Sequence, residues 1–427
     1  MATSRRDVLK LAGIALAGGA FPSIIIPNKS FAGVNSETLK VGLVGCGGRG
    51  SGAAKQALSA DPNVVLHAMG DVFPDKLEAS LDGLKKVHGQ KVKVDESRKF
   101  IGFDAFQKVI DSGVDVVLLT TPPHFRPEHL AYAVKQGKHV FCEKPVAVDA
   151  PGVRKVLESA KIAKQKNLSL VCGFCWRYDT PKREIFGRIN DGAIGDVTSV
   201  YNTYYTGLLW SYPRKPEWTD MEFQLRNWMY YTWLAGDHIV EQAVHSIDMM
   251  SWAFGDKLPV SAIGIGGRQV RTDAQFGHIN DHFGITYEYE NGAKGYHFSR
   301  QQANTDTSYL VESMGTKGRA MADCSRRVHE ISGATNWKYS GKTVDMYQIE
   351  HNELFASIRN GKPMNDGEWM AQSTMIAIMG RMAAYTGKKI TYEQAFNSTE
   401  KLGPDTYSWD TPVPIVEVAR PGITAFS

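Results

Sequence analysis

Between Gly236 and Asp248 the chain reads Gly-Asp-His-Ile-Val-Glu-Gln-Ala-Val-His-Ser-Ile-Asp. At about 100° per residue, a helix here would gather His238, Glu241, His245 and Asp248 within an arc of about 80°. Ile239, Ala243, Ile247 and Met250 would make the opposite, apolar face. Four titratable groups on one stripe exceed what a solvated helix face needs. They offer acid–base chemistry near neutral pH, with an imidazole as proton acceptor. His238, Glu241 and His245 also have identities and spacing compatible with a divalent metal. A third reading is a buried polar network.

A second constellation suits a nucleotide. Val41-Gly42-Leu43-Val44 runs into Gly45-Cys46-Gly47-Gly48-Arg49-Gly50, a G-x-G-x-x-G pattern that follows an apolar strand and opens a helix. The first glycine allows the tight turn, the second lets backbone approach a pyrophosphate, and the third lets helix and strand pack closely. The phosphates then meet the helix N-terminus. Gly48 and Arg49 complete the loop. Asp71, 21 residues after Gly50 at the end of the next strand, is placed to accept hydrogen bonds from a ribose and to repel a 2′-phosphate. That favours NAD over NADP.

Further on, Thr120-Thr121-Pro122-Pro123-His124 closes a strand at the crevice edge, and Gly137-Lys138-His139-Val140-Phe141-Cys142-Glu143-Lys144-Pro145 follows. T-P-P and then G-K-H-V-x-x-E-K-P, after the glycine fingerprint, resembles the glucose-fructose oxidoreductase / inositol dehydrogenase / MocA family. The resemblance covers nearly all of 39–320. It implies that Thr121, Pro122, His124 and Glu143 border the cofactor, and that Lys144 lies beside the nicotinamide and touches the substrate hydroxyl. An ammonium there would polarise an alcohol as hydride leaves its carbon. By the same resemblance His245 matches the acid/base histidine and Asp248 a trailing aspartate. Glu241 stands where many members carry Asp, and Ala243 where they carry Gly. Glu241 and Lys144 are therefore expected to position His245 and tune it. His238, Asp248, Trp233, and Arg177-Tyr178 (matching an R-[FY] pair) are expected near the substrate. Members usually work without metal, so none is expected.

These groups need a scaffold, and the hydrophobic rhythm supplies one. Residues 39–148 alternate short apolar strands with helices, the mark of a parallel sheet covered on both faces. Leu168–Cys175 reads as a further buried strand. From about residue 195 the strands are longer and alternating, with Glu290-Asn291-Gly292 as a hairpin signal. The expectation is a Rossmann domain (39–150) and an α+β domain (151–427) built on an open, mostly antiparallel sheet. The C-terminal helices, including Asp366–Thr386, are expected to pack back on the first domain. Residues 201–233 hold eleven aromatics, well above the chain average of 10%. They suit either sugar stacking or a core and subunit interface.

The first 32 residues read as an address. Ser4-Arg5-Arg6-Asp7-Val8-Leu9-Lys10 precedes a short apolar run, Leu11 to Phe21, and Ser30-Phe31-Ala32 is a small-x-small cleavage site. The run is too short to span a bilayer, and no other reaches the ~18 residues a spanning helix needs. A twin-arginine leader implies export of the folded chain by that machinery to the periplasm. Cleavage after Ala32 removes Arg5, Arg6, Lys10 and Lys29 against Asp7, so the net charge falls from +4 to about +1. That gives no electrostatic case for nucleic acid. Five cysteines are too few and too odd in number for a disulfide framework, and Cys172-x-x-Cys175 reads as two packed core thiols.

The expected protein is thus an exported NAD-dependent oxidoreductase for a sugar, glycoside or cyclitol hydroxyl, a homodimer or homotetramer. Outside the membrane there is no pool of nicotinamide, so the cofactor should leave with the protein and be regenerated in place. An NAD-dependent glycosidase, working by transient oxidation, elimination and re-reduction, is the alternative.

Overall fold

The computed structural model describes residues 37–413 and 416–427. The twin-arginine segment and the cleavage site after Ala32 lie outside the described residues.

Six strands form a parallel sheet: β1 (Leu39–Val44), β2 (Val64–Asp71), β3 (Lys99–Ile101), β4 (Val116–Leu119), β5 (His139–Cys142) and β6 (Leu170–Cys172). Their spatial order is 3-2-1-4-5-6. The order reverses direction between β1 and β4, which opens a crevice beyond the carboxyl ends of those strands. β4 and β6 are buried along their whole length, as cover on both faces requires. The layer runs past residue 150, because β6 follows the crossover helix Ala150–Gln165. β6 is also shorter than the hydrophobic run suggested. The chain leaves the sheet at Gly173 and makes a 3-10 turn over Cys175–Tyr178. Cys172 and Cys175 are free and buried, and burial pushes both thiols upward.

The second sheet contains β7 (Val197–Thr206), β8 (Ser261–Gly267), β9 (His282–Glu288), β10 (Lys294–Gln301), β11 (Leu310–Gly315), β12 (Gly318–Asp323), β13 (Val328–Gly333), β14 (Trp337–Lys338) and β15 (Ile390–Thr391). Its order is 14-13-12-11-7-10-9-8-15, and only the β7–β10 pair is parallel. Gly292, at φ +80°, makes the turn between β9 and β10 that the sequence signalled. Phe283, Ile285 and Tyr287 alternate inward along β9, against the helix Gly367–Thr386, where the Tyr287 hydroxyl donates to the Ile376 carbonyl. The other face is uncovered: Ile263, Ile265 and Phe298 are exposed on it.

The C-terminal third returns to the first sheet. Leu354 and Phe355 of the helix Met346–Arg359 join the core under Ala53, Ala54 and Ala57 of the helix Gly48–Ala60, and Arg359 pairs with Asp61 at 2.8 Å. The helix Gly367–Thr386 packs on the helix Ala150–Gln165, so closely that a Cβ on Gly367 would sit 2.1 Å from the Ala160 methyl. No described helix is long and apolar enough to cross a membrane.

A separate apolar cluster takes in the later part of the aromatic run, while Trp210 and Tyr212 are exposed. Tyr230, Tyr231 and Trp233 are buried with Phe73 and Ile279, and Phe103, Phe125, Leu402 and Tyr407 pack around them. Phe73, Phe103 and Phe125 come from the loops after β2, β3 and β4, at the crevice edge. Trp409 lies 5.6 Å from Phe73 and 5.1 Å from Phe103; Tyr407 lies 5.3 Å from Phe125. Phe73, which is buried, contributes roughly 1.5–3 kcal/mol, and the half-buried Tyr407 and exposed Trp409 less. The segment near residue 407 is therefore anchored across the crevice rim.

Candidate active site

The nucleotide cradle begins at Gly45, whose φ of +93° and proximity to the Thr121 amide (2.7 Å from an added Cβ) exclude a side chain. An added Cβ at Gly50 would meet the Gly45 carbonyl oxygen at 1.9 Å, so strand and helix touch there through backbone. At Gly47 and Gly48 nothing lies within 4 Å of an added Cβ. The cradle is closed beneath and open above, where a pyrophosphate would meet the helix N-terminus. The Asp71 carboxylate accepts from the Cys46 N–H at 2.5 Å and the Phe73 N–H at 2.9 Å, which fixes it beside the loop. Burial raises this carboxyl, against the pull of those two N–H groups.

Arg49 turns under the loop instead of toward solvent. Its Nε meets Glu143 at 2.5 Å, one terminal nitrogen meets Glu350 at 3.1 Å, and the guanidinium lies over the Tyr347 ring at 4.8 Å. Burial works to raise Glu143, yet the Arg49 and Arg126 charges outweigh it and hold the carboxyl low. Glu350, wholly buried and close to that anion, is pushed well above the carboxylate range. Arg49 therefore links two buried acidic side chains that are remote in sequence, Glu143 and Glu350. Glu143 Oε2 in turn accepts from the Lys144 N–H at 3.1 Å.

Lys144 reaches the helical segment. Its ammonium donates to the Glu241 carbonyl at 2.6 Å and to the Glu241 carboxylate at 3.1 Å. Glu241 Oε2 is buried without a partner. His245 is 7% exposed, and no protein group hydrogen-bonds either ring nitrogen among the described residues. Its ring packs 5.0 Å from Trp176 and edge-on to Phe174 at 5.9 Å. Burial first, then the Lys144 and Lys182 charges, drive its basicity well below the ordinary imidazole value. It is thus a neutral base with free lone-pair capacity. On the inner face of the second sheet Tyr204 packs 6.2 Å from Trp176 and 4.8 Å from Tyr309, so an aromatic wall adjoins the imidazole.

Several expected substrate contacts are turned elsewhere. The helix is broken: one turn, His238–Glu241, ends at Gln242, and a new helix runs Val244–Ala253. The single stripe does not form. His238 faces the sheet, bonded to the Asn280 carbonyl at 3.1 Å and the Ser299 hydroxyl at 3.2 Å. No group of three or more metal-type side chains converges among the described residues. Arg177 and Asp248 hold each other at 2.8 Å, with Asp256 at 2.6 Å from the same guanidinium and Ser373 at 2.7 Å from the aspartate. Trp252 and Trp369 lie against the guanidinium. Two opposite charges this buried attract each other more strongly than either would attract a neutral sugar. Tyr178 is buried with its hydroxyl on Asp366 at 2.5 Å, and the Trp233 indole donates to Gln224 at 2.6 Å. His124 at the cradle edge is bonded to the Tyr407 hydroxyl at 2.7 Å.

Comparison with known proteins decides the family. A family model described as "Oxidoreductase family, NAD-binding Rossmann fold" matches residues 39–174, and "GFO/IDH/MocA C-terminal domain" matches 183–321. The chain belongs to the GFO/IDH/MocA oxidoreductase family. An inositol 2-dehydrogenase of Rhizobium meliloti is 25% identical over 75% of this chain and 86% of its own length. A glycosyl hydrolase family 109 protein of Solibacter usitatus is 29% identical over 52% of this chain and 50% of its own. Among solved structures, the aldose-aldose oxidoreductase of Caulobacter crescentus, complexed with glycerol, superposes with a TM-score of 0.65 at 19% identity. It covers 83% of this chain and all of its own.

As a GFO/IDH/MocA oxidoreductase the protein takes NAD, and the cradle fits: open over Gly47 and Gly48, sealed under Gly45 and Gly50, with Asp71 at the ribose end. Sequence reasoning missed Glu350, Trp176 and Tyr309. Nothing local marks them, since each acts through a contact with a residue far along the chain.

Proposed function

We propose that the protein is an exported NAD-dependent oxidoreductase acting on a hydroxyl of a sugar, glycoside or cyclitol. The observation that carries this reading is the Lys144–Glu241 pairing and, one turn on, a buried imidazole that no protein group hydrogen-bonds among the described residues. A substrate hydroxyl placed there is polarised by the Lys144 ammonium and gives its proton to His245. Glu241 orients Lys144, and the aromatic wall of Trp176, Tyr204 and Tyr309 excludes water from one side. NAD held in the cradle would supply the hydride acceptor, and the carbonyl of a second sugar, taking that hydride and a proton to become an alcohol, would return it to the oxidised form. The inositol dehydrogenase and aldose oxidoreductase relatives support a polyhydroxylated ring as substrate. Arg5-Arg6 and the apolar run after them support twin-arginine export to the periplasm. The uncovered sheet face with Ile263, Ile265 and Phe298 suits a homodimer or homotetramer.

The test starts with the purified mature protein, denatured and assayed by mass spectrometry for released nicotinamide nucleotide. Near-stoichiometric NAD(H) after dialysis, with turnover of a sugar pair, supports the reading. An empty chain that binds NAD weakly overturns the retained-cofactor part. The similarity to a family 109 hydrolase favours one second reading, redox-neutral glycoside cleavage. Products separate the two: a keto-sugar for the first, a free aglycone with no net redox change for the second.

A further inference from the structure

A general base normally has its ring held by a hydrogen bond to one nitrogen, which fixes both plane and tautomer. His245 has no such bond. What holds it is aromatic: Trp176 at 5.0 Å with planes 31° apart, and Phe174 at its edge. Trp176 has a second neighbour. The Lys182 ammonium lies 5.4 Å from the centre of the indole, as a cation attracted to a π face does. Lys182 and Asp179 are buried and ion-paired at the start of the helix Thr180–Asn190.

The other charge that acts on the His245 ring is the Lys144 ammonium after β5, paired with Glu241 of the preceding short helix. Tyr204 on β7 packs on Trp176, and Asp248, one turn on from His245, is paired with Arg177. His245 is also the second residue of a ten-residue helix, whose N-terminal dipole disfavours an imidazolium. Lys144 is partly neutralised by Glu241, as Lys182 is by Asp179. Two cations, each with its own carboxylate partner, thus act on the same ring.

We propose that Trp176 and Lys182 are positioning residues for His245: the indole sets the plane of the imidazole, and the Lys182 ammonium, ion-paired with Asp179, is seated against that indole. The charge of Lys182 then opposes protonation of the ring. This rests on the reading of His245 as the acceptor. Lys182 touches neither substrate nor cofactor and acts through Trp176 and the field at the imidazole.

The two members of the ion pair give opposite signs, which a merely structural role does not. In histidine-labelled holoprotein the His245 resonance is assigned by its loss in His245→Asn and followed against pH. Lys182→Met removes a cation, so the imidazole titrates at higher pH than in the wild type. Asp179→Asn leaves the cation unopposed, so titration moves lower or disappears above the acid limit of folding. If Lys182→Met fails to fold, the Lys182→Met/Asp179→Asn protein is compared with Asp179→Asn, and the same upward shift is expected. An unchanged His245 titration on loss of Lys182, or shifts of one sign in both variants, overturns the proposal. For the indole, Trp176→Leu is expected to lower kcat about 10²-fold with KM and bound NAD unchanged; a raised KM with full kcat overturns that part. Full turnover in His245→Asn would sink the functional reading, while the titration shifts would still decide this one.

Discussion

Lys144 binds both ends of one residue: its ammonium meets the main-chain carbonyl and the carboxylate of Glu241. The carbonyl contact survives loss of the carboxylate, so the two contacts can be separated. Glu241→Gln should keep Lys144 near its place and lower kcat about tenfold. Lys144→Met, and likewise His245→Ala, should lower it about 10²–10⁴-fold, the usual worth of a placed acid or base. Bound NAD, measured after denaturation, should be unchanged in all three.

Arg177 offers the opposite signature. Its partners Asp248 and Asp256 are protein carboxylates, and breaking a buried pair of this kind costs about 3–5 kcal/mol. Arg177→Met should therefore lower Tm by many degrees while KM of the folded fraction stays near the wild-type value. A KM that rises with Tm intact would restore Arg177 to the substrate site.

Asp71 is expected to govern the choice between nicotinamide cofactors. Its carboxylate is fixed by the Cys46 and Phe73 amides at the ribose end of the cradle. Asp71→Ala should weaken NAD binding and lessen the bias against NADP, changing the ratio of their dissociation constants by about 10–100-fold. Titration of apoprotein with each nucleotide measures that ratio.

Acid should destabilise the fold. Burial lowers His129, His297 and His351 to about 3. The unfolded chain takes protons at these residues below the ordinary imidazole value, while the folded chain refuses them. Their stabilisation is therefore full above pH about 6.5 and is lost as pH falls toward 3, at up to about 1.4 kcal/mol per pH unit each. Glu350 and the buried carboxyls of Asp71, Asp149, Asp248 and Asp366, raised by burial, work the other way, while His124, His245, His278 and His329, lowered by burial, add to the acid sensitivity. Denaturant midpoints between pH 7 and 4.5 should fall steadily; a flat profile would refute the assignment.

Much of the fold was legible because it depends on local signals. The apolar run Leu39–Val44, the glycine loop and the turn at Glu290-Asn291-Gly292 each settle their own conformation, and all three stand as read. The resemblance also named Lys144, Glu241 and His245 as partners, and the structure brings the first two into direct contact. The segment 236–248 misled because helical periodicity assumes an unbroken helix. Here Asp237, at φ +71°, starts one turn and Gln242 stops it, so His238 swings to the sheet. Arg177 and Tyr178 misled for another reason: their partners Asp256 and Asp366 are remote in sequence, and a buried ion pair reads like a binding group until its partner is seen.

The rim of the crevice carries a further consequence. Tyr407 and Trp409 seat on Phe103, Phe73, Phe125 and His124, which belong to loops that three different strands of the nucleotide layer deliver. A dinucleotide lodged beneath that seam leaves by this side only when segments some three hundred residues apart in sequence part together. Release on that side would then require these aromatic contacts to part as well as the nucleotide's own contacts to break.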